Sequence, residues 1–320
     1  MVVITIRKNE SGQRFDKFLC KYLSSASKSF IYKMLRKKNI TLNGNKATGT
    51  EKLSDGDVVK LFLSDETINK FSQGESIQLT NEKLNIVYED DNIALINKPV
   101  GMLSQKALDS DVSLNEHFIS YLVHSKQLTL TDLNTFKPSI CNRLDRNTSG
   151  IVSAGKSLAG LQELSRLFKD RSIGKYYLCL VSGVLSEAEA INGYLLKNER
   201  SNQVVISNHA ANDAVRIETE YKPLHVYGDA TLLEVHLITG KTHQIRAHLA
   251  SIGHPIIGDP KYGDVKVNAF YKQTYGLRCQ LLHAYRIVFP EMTGELENLS
   301  AKEFTAEVPK VFQRIIDSLK

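Results

Sequence analysis

The chain has 320 residues, with 41 Lys and Arg against 35 Asp and Glu, a formal net charge of +6 and a pI near 8.9. At 42% hydrophobic and 24% charged residues the composition is that of an ordinary globular protein, neither disordered nor collagen-like, and no apolar run approaches the roughly 18 residues of a membrane span. The charge is unevenly spread: residues 1–62 hold 13 basic and 5 acidic side chains, a net of +8, while the rest of the chain holds 28 and 30, a net of −2. That asymmetry fits a polyanion-binding module fused to a near-neutral larger domain, and equally fits a solvated lysine-rich surface.

The start, MVVITIRKNE, turns charged too soon for a secretory signal, and Val2–Ile6 reads as a short strand. Phe15, Phe18, Leu19, Tyr22 and Leu23 recur at helical spacing on one face. A second helix starts near Ser27 or Ser29, either able to cap it, with Ile31, Met34 and Leu35 inward and Lys33, Arg36 and Lys37 on a different side. Ile40-Thr41-Leu42 is a strand meeting an Asn43-Gly44 hairpin signal, and Leu53–Asp57 turns into a strand over Val58–Leu63. The stretch Ser64–Asn81 is polar with no clear period. It suggests a small module over residues 1–70, a linker over 71–82 and a larger domain over 83–320.

In the larger domain, strands are expected near Leu84 and over Ile93–Asn97, with a tight loop at Pro99 and Gly101. A helix over Leu158–Phe168 precedes strands around Tyr176–Val181, Ile217–Tyr221 and Thr231–Leu237, and a helix from about Thr242 to Ser251 ends at Gly253. Strands mixed with helices without strict βαβ alternation predict the α+β class, with a mixed, largely antiparallel sheet flanked by helices and loops. Cys20, Cys141, Cys179 and Cys279 lie far apart with no CxxC pair, which indicates neither a disulfide framework nor a zinc site and suits a reducing cytoplasm.

Four segments carry chemistry. Lys28, Lys33, Arg36, Lys37 and Lys38 place several cations along one side of a short helix, where they can neutralise phosphates and release counterions; plain solvation is the competing reading. In Asn142–Gly150 (NRLDRNTSG), Asp145 occupies a polar, Gly-terminated loop feeding the apolar Ile151-Val152. Arg143 and Arg146 stand beside it to hold it ionised, and Thr148 and Ser149 can bond the local backbone. Such an aspartate is either a turn stabiliser or a nucleophile or base, and the residues alone leave both open. Within Lys175–Val181 side chains alternate, so only one of Tyr176 and Tyr177 can share a cleft with functional groups, either as core or as a base-stacking ring. In Leu237–His248, a Thr-Gly turn joins a strand to a helix whose Ile245 and Leu249 form the buried stripe, with His243 and Arg246 three apart. His243, His248 and His254 invite a metal reading. Histidines five apart do not share a helix face, however, and no HExxH glutamate or cysteine pair completes a site, so no metal is expected.

Taken in order, these segments resemble the RluA-type family of RNA pseudouridine synthases preceded by an S4 RNA-binding domain. The S4 resemblance, to a small αα-hairpin with strands, rests on Arg14-Phe15-Asp16-Lys17-Phe18-Leu19, the basic second helix, Ile40–Gly44 and Leu53–Asp57. The synthase resemblance rests on Asn97-Lys98-Pro99-Val100-Gly101, Arg143–Gly150, Lys175-Tyr176-Tyr177, Thr239–His248, Gly253–Gly263 and Leu281-Leu282-His283-Ala284. It implies an enzyme that isomerises uridine in structured RNA without a cofactor. Asp145 falls on the family's essential aspartate, Tyr177 on its active-site tyrosine and Arg246 on the arginine that pairs with the aspartate. Lys28, Lys33, Arg36, Lys37, Lys38, Arg143, Lys241 and His243 are the expected RNA contacts. Two departures stand out: Asn142 replaces the usual His, and Lys241 stands where many relatives carry Arg. The resemblance further implies action on 23S ribosomal RNA ahead of tRNA, while a cytoplasmic monomer with no membrane partner is the default expectation. Attack on the ribose and elimination to a glycal-like intermediate both remain open, and a non-catalytic RNA-binding or ribosome-assembly factor of the same fold is the alternative.

Overall fold

Two sets of apolar faces in the chain need covering, and they are covered separately. The computed structural model describes residues 1–72, 79–130, 132–198, 203–207, 209–210 and 213–320, without the side chains of 197 and 198. Near the N-terminus a four-stranded sheet runs in the order Val2–Thr5, Val58–Leu61, Ile40–Leu42, Asn45–Lys46. The helices Phe15–Tyr22 and Lys28–Arg36 share one core with it, through Phe15, Phe18, Leu19, Ile31, Leu35, Val59 and Leu61. Ser27, not Ser29, caps the second helix: its Oγ accepts the Phe30 N–H at 3.3 Å. Lys38, with φ 60°, turns the chain out of that helix.

The polar stretch after this sheet is not structureless. Asp65–Ser72 is a helix. Ser64 Oγ accepts the Thr67 N–H at 3.2 Å, Ile68 is buried and the Phe71 ring lies 4.6 Å from that of Phe30. Ile68 and Phe71, three apart, were its apolar signal. The expected linker over 71–82 falls partly on 73–78, which lie outside the described residues.

Among the described residues, the larger sheet has eleven strands. Its path is Gln203–Ser207, Glu189–Asn198, Val215–Tyr227, Ala230–Leu237, Gly174–Ser182, Leu282–Val288, Ser149–Gly155, Ile93–Lys98, Ile86–Glu89. Leu282–Val288 and Ser149–Gly155 pair in parallel, with His283 opposite Ser149, and the other neighbours on the path pair antiparallel. The fold is α+β with a mixed, largely antiparallel sheet. Both faces of its centre are covered. Tyr177, Cys179, Val235, Ile245 and Leu249 lie in one core, and Leu180, Leu232, Phe312 and Ile315 in another. All seven residues of Ser149–Gly155 are buried, which suits its unbroken run of small and apolar side chains.

Three further helices lie outside the expected set. Leu114–His124 opens with a capping box between Ser113 and Glu116, Val265–Tyr275 is capped by Asp264, and Lys310–Leu319 buries Phe312, Ile315 and Ile316 at i, i+3, i+4. The hairpin of Glu189–Asn198 and Gln203–Ser207 was likewise not expected, and Val215–Tyr227 extends well past Tyr221.

Candidate active site

Asp145 sits in the loop that enters the buried strand Ser149–Gly155, and three devices hold that loop. The Thr148 N–H donates to the Asp145 carbonyl at 3.0 Å, closing a turn. Ser104, buried, donates to the Leu144 carbonyl at 2.8 Å and accepts the Leu144 N–H at 3.0 Å. Lys98 is fully buried, and its Nζ donates to the carbonyls of Pro99, Met102 and Arg146 at 3.0, 2.9 and 3.2 Å, tying loop 99–102 to the aspartate loop. Burial, partly opposed by the Asp145 charge, lowers the Lys98 pKa to about 8. At the loop's exit Gly150 has φ 115°, and a Cβ there would stand 2.2 Å from the Ala284 carbonyl oxygen, so the close parallel crossing requires glycine.

Thr148 and Ser149 do not bond the local backbone with their side chains. Thr148 Oγ1 accepts from Gln280 Nε2 at 3.2 Å, and Ser149 Oγ lies 2.8 Å from His283 Nδ1. They fasten the loop to a segment 132 and 134 residues away in sequence. Asn142, at the departure from the family pattern, is also structural: its Oδ1 accepts the Ser153 N–H at 2.7 Å.

The helix Gln244–Ser251 supplies the counter-charge. Arg246, only 5% exposed in its side chain, donates from Nη1 to Asp145 Oδ2 at 2.8 Å. Its Nε and Nη2 grip Asp259 at 2.7 and 2.8 Å, a bidentate pair. Asp259 is fully shielded, and its Oδ1 also accepts the Lys261 and Tyr262 N–H groups at 2.8 and 3.1 Å. Burial pushes the Asp259 pKa up, but Arg246 and those amides outweigh it and hold the carboxyl below its usual range. Burial likewise works against the Arg246 charge, and Asp259 first and Asp145 second more than restore it. Asp145 remains 26% exposed in its side chain, and its Oδ1 has no donor among the described residues. Arg143 and Arg146 are both exposed, and neither pairs with Asp145 among the described residues; Arg146 Nε instead donates to the Gly101 carbonyl at 3.1 Å.

The tyrosine alternation resolves in one direction. Tyr177 points into the core beside the site, and burial, reinforced by the Asp145 charge, pushes its hydroxyl pKa well above the ordinary tyrosine range. Tyr176 lies on the other face, between the Arg286 guanidinium 4.0 Å from its centroid and the His236 ring at 4.5 Å. Lys241 is exposed, and its backbone N–H donates to Gln244 Oε1 at 3.1 Å. His243 is brought to Asp145, with Nε2 3.8 Å from Oδ2, whereas His248 bonds Thr219 and His254 faces the Ser182 carbonyl. The three histidines thus serve separate partners. Lys28, Lys33, Arg36, Lys37 and Lys38 are exposed on and just beyond the second helix.

The site residues missed from the sequence are Asp259 and Lys98. The stripe that buries Ile245 and Leu249 also buries Arg246, and a buried guanidinium needs a carboxylate of its own. Asp259, between Ile256-Ile257 and Pro260, was the candidate at hand. Lys98 ends a largely apolar strand just before Pro99, a place where a lysine is either solvated or serving backbone carbonyls.

A family model described as RNA pseudouridylate synthase matches residues 92–251, a span that contains Asp145, Tyr177 and Arg246. The chain is 32% identical to ribosomal large subunit pseudouridine synthase C of Vibrio vulnificus, over 99% of this chain and 96% of the relative. The chain belongs to the RluA-type family of RNA pseudouridine synthases. The synthase of the same name from Haemophilus influenzae is 32% identical over 99% of this chain and 95% of its own. In fold, this pseudouridine synthase is similar to the solved structure of human RNA pseudouridylate synthase domain containing 4, with a TM-score of 0.60 and 22% identity over 73% of this chain and 92% of that one. As a synthase of this family it acts on RNA, converting uridine to pseudouridine. No helix among the described residues is long and apolar enough to cross a membrane.

Proposed function

We propose that this synthase modifies large-subunit ribosomal RNA, with Asp145 as the reacting carboxylate, Arg246 as its paired cation and Tyr177 as the ring that packs on the uracil. The observation that carries the reading is the arrangement at Asp145: a partly exposed carboxylate fixed through Oδ2 at 2.8 Å by an arginine that is itself locked by Asp259. The relatives named for the large ribosomal subunit support the choice of RNA. Isomerisation breaks the N1–C1′ bond, rotates the uracil, joins C5 to C1′ and releases the C5 proton. The target base first leaves its stack, at a cost of about a few kcal/mol that is smallest in loops. Oδ1 of Asp145 is the oxygen left to meet the ribose. With its pKa pushed far up, Tyr177 enters as a neutral ring and hydroxyl.

In the same reading residues 1–70 form an S4 module joined through 71–82 to a catalytic domain over 83–320, in a cytoplasmic monomer. Lys28, Lys33, Arg36, Lys37 and Lys38 grip phosphates, and Arg143 and Lys241 guide the strand at the cleft. Mapping pseudouridines across rRNA and tRNA in wild-type, deletion and Asp145→Asn strains tests this. Loss of one or a few large-subunit positions in both altered strains is expected. Loss confined to tRNA would overturn the substrate, and equal yield from the Asp145→Asn protein would overturn the role of Asp145.

A further inference from the structure

His243 occupies the N-cap of the helix Gln244–Ser251 with φ 55°, a left-handed conformation that costs a residue with a Cβ about 1–3 kcal/mol. A glycine would take that conformation without strain, and the His243 side chain makes no capping hydrogen bond to the helix. Its ring lies between two partners. Nε2 is 3.8 Å from Asp145 Oδ2, and Nδ1 is 3.1 Å from the Tyr262 hydroxyl, whose ring meets the imidazole edge-on at 74°.

Tyr262 can set where the imidazole proton sits. Its hydroxyl accepts the Val204 N–H at 2.9 Å, and a backbone amide offers only a donor. The hydroxyl's own proton is free to go to His243 Nδ1, the one other hydrogen-bond partner it has among the described residues. An imidazole that accepts at Nδ1 carries its proton on Nε2, the side facing Asp145. The charged and titratable groups around the ring are Arg246 on its own helix, Asp145 on the catalytic loop, and Asp259, Lys261 and Tyr262 on the following segment. Burial first, and then Arg246 and Lys261, keep the ring's pKa below the ordinary histidine value against the pull of Asp145 and Asp259, so the ring is neutral at neutral pH.

We propose that His243 is a positioning residue for Asp145: a neutral imidazole, locked in the Nε2–H tautomer by Tyr262, that donates to the same carboxylate oxygen as Arg246 and keeps Oδ1 toward the ribose. The inference rests on the reading of Asp145 as the reacting group. The 3.8 Å separation is longer than a hydrogen bond, as catalytic contacts often are before substrate closes the site. A neutral donor orients the carboxylate without setting another full cation against it, which would blunt its reactivity. Tyr262 thereby links the Asp145 site to the strand Gln203–Ser207 through one hydroxyl.

The test is single-turnover pseudouridine formation by the full chain on transcribed large-subunit rRNA, with RNA affinity measured at the same salt. His243→Ala is expected to slow the rate at saturating RNA by about tenfold or more with affinity within about twofold, because misplacing a reacting group is costly to the rate and not to binding. His243→Gln, which restores an N–H donor, is expected to recover part of that loss. Tyr262→Phe removes the hydrogen bond that favours the neutral ring, so the acid limb of its rate–pH profile should move to higher pH. A weaker affinity with an unchanged saturating rate in His243→Ala would make His243 an RNA contact and overturn the proposal, as would an unmoved acid limb in Tyr262→Phe. Thermal melts establish that each variant is folded, and if His243→Ala is not, the His243→Gln and Tyr262→Phe pair decides on the same criteria. Asp145→Asn separates the two readings: full activity there overturns the role of Asp145, whereas an inactive Asp145→Asn beside a fast His243→Ala overturns His243 alone.

Discussion

Asp259 never needs to meet the RNA, yet the Asp145–Arg246 pair depends on it. Without it, Asp145 would be the one carboxylate left to Arg246, a buried cation, among the described residues. Breaking a buried pair from one side costs about 3–5 kcal/mol. Asp259→Ala should therefore lower stability by that order in urea unfolding and also slow turnover, whereas Asp145→Asn should remove activity by more than about a thousandfold and leave the unfolding midpoint nearly unchanged. His283 gives a second residue-scale prediction. It is buried, with Nε2 donating toward the Ala306 carbonyl and Nδ1 facing Ser149 Oγ, and burial lowers its pKa to about 4, partly opposed by the Ala306 bond. The unfolded chain takes up this proton near the ordinary value of 6.5, well before the folded chain does. Its contribution is therefore complete above about pH 6.5 and is lost as pH falls toward about 4, a change of up to about 3 kcal/mol. Urea midpoints followed between those pH values should fall more steeply for the wild type than for His283→Asn.

At the scale of elements, the Asp145 loop is held by backbone carbonyls that converge on one ammonium. Lys98→Met keeps the stem's bulk and removes the three hydrogen bonds, taking the ammonium donor from the Pro99 and Met102 carbonyls, while the Arg146 carbonyl keeps the Gly101 N–H at 2.9 Å. The expected result is a lower thermal midpoint, with a saturating rate that falls because one of the two hydrogen bonds holding the Arg146 carbonyl next to Asp145 is lost. The second helix behaves in the opposite way, since its cations are exposed and their side chains make no ion pair among the described residues. Replacing Lys33, Arg36 and Lys37 together with alanine should leave stability within about 0.5 kcal/mol of wild type. It should also flatten the salt dependence of RNA binding by about 0.7–0.9 for each phosphate no longer neutralised, as read from affinity against ionic strength.

At the scale of the molecule, the N-terminal sheet is tied to the larger one. Thr135 Oγ1 donates to the buried Glu10 at 2.8 Å, Lys8 pairs with Glu295 at 3.2 Å and Arg7 with Asp132 at 3.5 Å. Because the helix Asp65–Ser72 packs on Phe30, a clean truncation removes residues 1–72 and not 1–70. The shortened chain should retain its own core, bind RNA more weakly and show a flatter salt slope. An unchanged slope in filter-binding titrations would show that the net +8 of residues 1–62 is not what holds the RNA.

Much of this protein is written locally. The apolar spacing of Phe15–Leu23 and the strand-and-turn alternation depend on near neighbours, and the α+β class, the N-terminal helix pair and the approximate bounds of most central strands were legible in them. Ile68 and Phe71, or Phe312, Ile315 and Ile316, carried the same kind of signal in stretches whose polar composition hid it. Beyond the Arg246–Asp145 pair that the resemblance implied, the tertiary structure decided which charges meet. Arg143 and Arg146 are Asp145's neighbours in sequence, but the loop's turn sends both outward, and the cation that reaches Oδ2 comes from 101 residues away. Thr148 and Ser149 find their partners 132 and 134 residues on, and the second carboxylate on Arg246 is visible only once the helix is buried. Periodicity records which side chains leave water. Which polar groups must then satisfy one another is settled by the packing of distant segments, and in the Asp145 site that packing brings together a carboxylate, its arginine and the aspartate behind it.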